Sequence, residues 1–169
     1  MNLKLVWVYF LSIGFVAQAW AQQTKSISVT GEIASEIVLD WDLISAQEAE
    51  EIGDFSITNH LGEPRGVLQS AKGVPVSSLL KDLVFNTPSP KKLSEFYFVF
   101  EAEDGYKVVF SWNELFNNPL GEEVYFVTFA NGKPMEEMED SILVISKTDF
   151  RTGRRHVKNL VKIQVKRVP

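Results

Sequence analysis

Five cations gather around one glycine in residues 149–165: Arg151, Arg154, Arg155, Lys158 and Lys162 surround Gly153. Guanidinium and ammonium groups crowded on a tight turn suit a phosphate or another anion. Each supplies charge-assisted donors, and arginine supplies them as a fork. The run then alternates through Leu160, Val161, Ile163 and Val165, which predicts a strand pinned to a core. The competing assignment is a solvated basic edge strand, because charge commonly guards sheet edges. The two histidines, His60 and His156, would need the fold to bring them together, with Asp104 or Asp149, before they could hold a metal or move a proton. No Gly-x-Ser-x-Gly elbow, His-Glu-x-x-His pair or phosphate loop is present, so hydrolase and nucleotide-binding readings have no support. The acidic cluster Glu136, Glu137, Glu139 and Asp140 fits no calcium-loop spacing and reads as a solvated turn.

Short elements must position these groups. Ile27, Val29 and Ile33 keep strand alternation, with a bend at Gly31, and residues 37–40 predict a second strand. Asp42 is expected to cap a helix running to Glu51, and residues 54–58 to return to strand. Residues 59–66 form a turn-rich loop, and Val67 and Leu68 a strand. Val76, Leu79, Leu80 and Leu83 share one helical face, with Pro75 in the first turn. A hairpin joins 96–102 to 106–110 through Asp104-Gly105, and Ser111 to Glu114 is a capping-box pattern opening a helix to Phe116. Residues 124–130 and 142–146 predict strands, with a turn at Asn131-Gly132.

The chain has 169 residues, enough for one domain with a sizeable core. Its formal net charge of −5 argues against a general nucleic-acid binder. Charge is unevenly placed: residues 147–169 hold eight basic residues against one acidic, and residues 22–146 hold eight against twenty-one. That pattern implies either a basic face on an acidic body or pairing between the two parts on folding. There is no cysteine, which removes disulfides, thiolate metal sites and a thiol nucleophile. Residues 1–21 read as a secretory signal peptide, with Lys4, an apolar segment over 5–17 and Ala19-Trp20-Ala21 as the processing site. Cleavage after Ala21 is expected, leaving residues 22–169 as a single periplasmic or secreted domain with no membrane attachment. No twin-arginine pair precedes the apolar segment, so the general secretory route is expected.

Four segments in order resemble one family: Val29-Thr30-Gly31-Glu32-Ile33; Lys72 through Leu80; Asp104-Gly105-Tyr106 followed by residues 111–115; and Asn131-Gly132-Lys133-Pro134-Met135 with residues 142–146 and 153–165. Together they resemble the molybdopterin-binding domain of sulfite-oxidase-type oxidoreductases, in particular its small exported single-domain relatives. The resemblance implies an α+β fold of mainly antiparallel mixed sheets with a few short helices. It also implies a pterin-holding motif, Gly-x-basic-x-x-Lys, matched by Gly153, Arg155 and Lys158. The family's metal-ligand loop corresponds to residues 59–65, where Gly62 and Arg65 match and the cysteine is missing. His60 is a poor replacement for a thiolate's strongly donating sulfur. The expectation is therefore an anion or small-ligand pocket built from His60, Arg65, Gly153, Arg155, His156 and Lys158, with no catalytic residue and no metal. No cofactor is expected; molybdopterin is the alternative that the resemblance implies. The expected partner is an anionic small molecule or an acidic protein, with no nucleic acid.

Overall fold

The computed structural model describes residues 23–169. The expected signal peptide and its cleavage site lie outside the described residues. Among those described, no helix is long and apolar enough to cross a membrane.

Two sheets build the protein. The first has five strands: β1 (Ser26–Gly31), β2 (Ile37–Asp40), β5 (Phe96–Ala102), β6 (Lys107–Ser111) and β10 (Leu160–Arg167). Their spatial order is β2-β1-β10-β5-β6, and only the β1–β10 pair is parallel. The second contains β3 (Glu50–Thr58), β4 (Pro64–Pro75), β7 (Val124–Ala130) and the two-residue β8 (Lys133–Pro134), in that order, with β9 (Leu143–Ser146) also paired to β7. Among the described residues three one-turn α-helices, α1 (Trp41–Ser45), α2 (Val76–Leu80) and α3 (Trp112–Phe116), join four short 3-10 turns in the connections. This is the α+β architecture of mainly antiparallel sheets that the sequence implied.

The basic stretch therefore does not lead into an edge strand. β10 is the middle strand of its sheet, between β1 and β5. Its alternation slips once, because the ladder shifts register between Leu160 and Lys162. Leu160, Ile163 and Val165 are buried, whereas Val161 is half-exposed. Beside it, Phe96, Phe98 and Phe100 of β5 alternate inward with the period of two that a strand imposes. They meet Phe85, Phe116 and Phe110 in edge or tilted ring contacts 5.1 to 5.8 Å apart. One contiguous apolar core takes side chains from both sheets.

Local signals account for most boundaries. Gly31 ends β1 at φ +108°, where a Cβ would stand 2.1 Å from the Val165 carbonyl oxygen. Ser111 and Glu114 form the reciprocal capping box of α3. Some boundaries differ from expectation: β4 already begins at Pro64, inside the stretch expected as loop, and α2 ends at Leu80, short of Leu83. The helix after β2 is capped by Asp40 rather than Asp42 and ends at Ser45; Glu50 and Glu51 already belong to β3. The acidic residues of this segment carried no apolar face to prolong the helix, and pairing with Gly73 and Lys72 of β4 claims the backbone instead.

Phe98 is fully buried against both Phe85 and Phe116. Phe98→Ala is expected to cost about 3–5 kcal/mol of stability, read as a lowered denaturant midpoint.

Candidate functional site

Two loops converge at the far end of the β3–β4 hairpin. The first, residues 59–63, is folded by Asn59, whose Oδ1 accepts from the backbone N–H of Leu61 at 2.9 Å and of Glu63 at 3.0 Å. The second carries the chain from β9 to β10 and contains a single 3-10 turn, Thr152–Arg155. Thr152 fastens it to the end of β3. Its hydroxyl donates to the Ser56 carbonyl at 2.8 Å and accepts from the Thr58 N–H at 2.9 Å. Gly153 follows because the approach is too close for any side chain: a Cβ would stand 2.3 Å from the Thr58 carbonyl oxygen. The Tyr106 hydroxyl, from the β5–β6 turn, donates to the Arg154 carbonyl at 2.6 Å and holds the loop from the other side.

Between these loops lies a cleft of about 450 Å³. Thr58, Asn59, His60 and Arg65 line it from the hairpin side; Gly153, Arg154 and His156 line it from the second loop, together with Tyr106. The structure thus gathers His60, Arg65, Gly153 and His156, four of the residues expected from sequence. Arg154, Asn59 and Tyr106 were not expected there. The signal for Arg154 was in plain view within the basic run, but the Gly-x-basic-x-x-Lys pattern directed attention to its neighbour.

Arg155 and Lys158 are not brought to the cleft. The Arg155 side chain is only 24% exposed and its guanidinium is engaged by two carboxylates. Its Nε donates to Asp149 at 2.8 Å, its Nη1 donates to Glu114 at 3.0 Å, and the group lies 4.4 Å from the centre of the Phe110 ring. The hydrogen bond to Asp149 raises its pKa above an already high value. Lys158 pairs with Asp140 at 2.8 Å. Among the described residues Arg151, Lys162 and Lys166 meet no carboxylate, but half of the stretch's eight cations are resolved by pairing, with Lys147 on Glu123 and Arg167 on Glu95 as further cases. Two cleft arginines escape it. Arg65 has only a loose, exposed contact with Glu63 at 3.8 Å. Among the described residues no carboxylate is within ion-pair distance of Arg154, which is exposed.

His156 differs from both. Burial, with repulsion from Lys158, pushes its pKa down to about 4, against a smaller opposing pull from Asp140. It is neutral at pH 7, and its Nε2 is buried without a hydrogen-bond partner.

These residues do not fit a pterin phosphate as the motif implies. Arg155 is committed to Asp149 and Glu114, Lys158 pairs with Asp140 at the surface, Gly153 serves a backbone contact, and the chain has no thiolate to offer a metal.

Two outcomes are expected from this geometry. Arg155→Ala leaves Asp149 and Glu114 facing each other's surroundings without a counter-ion, and is expected to cost about 2 kcal/mol, discounted for partial solvent access, in chemical denaturation. His156 binds its proton more weakly folded than unfolded, so the protein loses stability as pH falls from 6.5 towards 4. His156→Gln is expected to flatten that part of a melting-temperature profile against pH; an unchanged slope would show that the ring is freely solvated.

No family model matches the chain, and no curated protein matches it. Among solved structures, the sulfane dehydrogenase SoxCD from Paracoccus pantotrophus is similar, with a TM-score of 0.58 and 14% sequence identity. The match covers 85% of this chain and 39% of that chain, so this chain spans well under half the length of the protein it resembles. At that identity the likeness is one of fold. An oxidoreductase contains a domain of this architecture.

Proposed function

We propose that the chain is an exported binding module on a sulfite-oxidase-type fold, in which molybdenum chemistry has been lost and the cleft grips a small anion. The observation that carries this reading is a pair of arginines, Arg65 and Arg154, lining one cleft without a firm carboxylate partner. Elsewhere in the C-terminal stretch Lys147, Arg155, Lys158 and Arg167 are paired with carboxylates, so these four are not available to a ligand, whereas the two cleft arginines are. The imidazoles of His60 and His156 add polar walls. The absence of cysteine and of a twin-arginine signal supports the loss of the metal centre.

A molybdopterin-dependent oxidoreductase is the second reading, favoured by the fold likeness to a dehydrogenase. The two separate on protein purified from its own exported compartment. The module is expected to give a bare polypeptide mass beginning at Gln22 and no molybdenum by elemental analysis; stoichiometric molybdenum would establish the second reading.

Calorimetric titration with inorganic phosphate and with sulfate tests the cleft itself. Arg154→Glu is expected to weaken binding by about ten-fold or more, and Arg65→Glu to act in the same direction. Unchanged affinity in both variants would remove the cleft as the anion site.

A further inference from the structure

We infer that the ligand of this cleft is an acidic peptide: a segment of another protein that places a carboxylate at Arg154 and Arg65 and an adjoining apolar side chain against Phe150 and Leu61. This rests on the anion-binding reading and adds the class of ligand.

The two loops that wall the cleft carry the inference. Outside the lining itself, Phe150 is 95% exposed and Leu61 63% exposed, Leu61 directly following the lining residue His60 and Phe150 lying three positions before the lining residue Gly153. The loops meet beside these residues. Gly62 lies so close to Arg151 that a Cβ would stand 2.8 Å from the guanidinium carbon, and Arg151 in turn donates to the Phe150 carbonyl at 3.1 Å. Leu61 and Phe150 are thus each one residue from a single loop-to-loop contact. An aromatic ring left almost wholly in water on the same loop as Arg151 and Arg154, which meet no carboxylate among the described residues, is the composition of a protein-recognition surface, where aromatic and arginine side chains supply most of the binding energy.

The chemistry narrows the occupant. A free phosphate would use the arginines and leave the two apolar side chains in water. An anionic bilayer would use both, but it is broad and flat, and residues 22–146 carry twenty-one acidic residues against eight basic ones, which such a surface repels. A short projecting acidic segment meets the local positive charge in a concave site while the acidic body stays outside. The segment is held by its side chains. At this end of β3 the edge groups Ser56 O and Thr58 N–H are already taken by Thr152, so no added strand forms there.

A fluorescein-labelled hexapeptide of alternating glutamate and leucine is the reagent, with fluorescence anisotropy as the readout on the chain from Gln22 onward. Inorganic phosphate serves as competitor, and vesicles of phosphatidylcholine with phosphatidylglycerol as the lipid comparison. The peptide is expected to bind more tightly than phosphate and to be displaced by it. Phe150→Ser and Leu61→Ser are expected to weaken the peptide by about ten-fold each and to leave phosphate binding unchanged. Both sites are exposed, and unchanged thermal unfolding confirms that the variants fold. If phosphate binds and neither the Phe150 nor the Leu61 variant affects the peptide, this inference falls and the anion cleft stands. If Arg154→Glu changes neither ligand, the cleft reading itself falls. Binding to anionic vesicles without binding to the peptide overturns the inference in favour of a lipid surface.

Discussion

The cleft depends on a charge that never reaches it. Arg155 is the point at which the loop before β10, the helix α3 and the edge strand β6 are tied together. Its guanidinium meets Asp149 from its own loop, Glu114 from the capping box of α3, and the face of Phe110 from β6. Each partner is itself held: Asp149 accepts from the Ser146 hydroxyl, and Glu114 accepts from the Ser111 N–H. A half-buried cation is costly unless its donors are met, and these donors are met by groups that cannot easily move. The loop is therefore fixed at Arg155, and Arg154 on one side and His156 on the other take up their places along the cleft.

The sequence made the scaffold easier to read than the site. Alternation in Leu160, Ile163 and Val165, the Ser111–Glu114 box and the Asp104-Gly105 turn are local patterns, and each becomes the expected element. Arg155 was legible as a cation with a purpose, but its purpose was not, because its partner Glu114 lies forty-one positions away and only the fold makes them neighbours. Gly153 was read as part of an anion-binding turn; it is required by the approach of the chain to Thr58. The helix expected to run to Glu51 shows the same limit from the other side, since strand pairing decided what local propensity left open. His156 carries no sequence mark of its neutrality, which comes from the surfaces packed around it.

A fold shared with a sulfane dehydrogenase at 14% identity constrains architecture far more than chemistry. In this chain the loops between the strands wall a concave site, and the cations of the family-like motif, Arg155 and Lys158, are paired with carboxylates away from it. What lines the cleft is a different set: Arg65, Arg154, two imidazoles and the Tyr106 side chain. Function on this scaffold is decided by which side chains the loops leave unsatisfied.

The parallel pairing of β1 with β10 has a consequence for how the protein is made. On the side away from β2, residues 28–31 find their ladder partners at residues 162–165. The first sheet lacks its middle strand until residues 160–167 have emerged, and contacts spanning nearly the whole described chain must close before its centre exists. A chain made from its N-terminus can therefore form the β1–β2 and β5–β6 pairs and the second sheet early, but its first sheet stays in two halves until β10 joins β1 to β5. The last strand made is the keystone of the first sheet, so a chain cut short before residue 160 loses the link between its two halves.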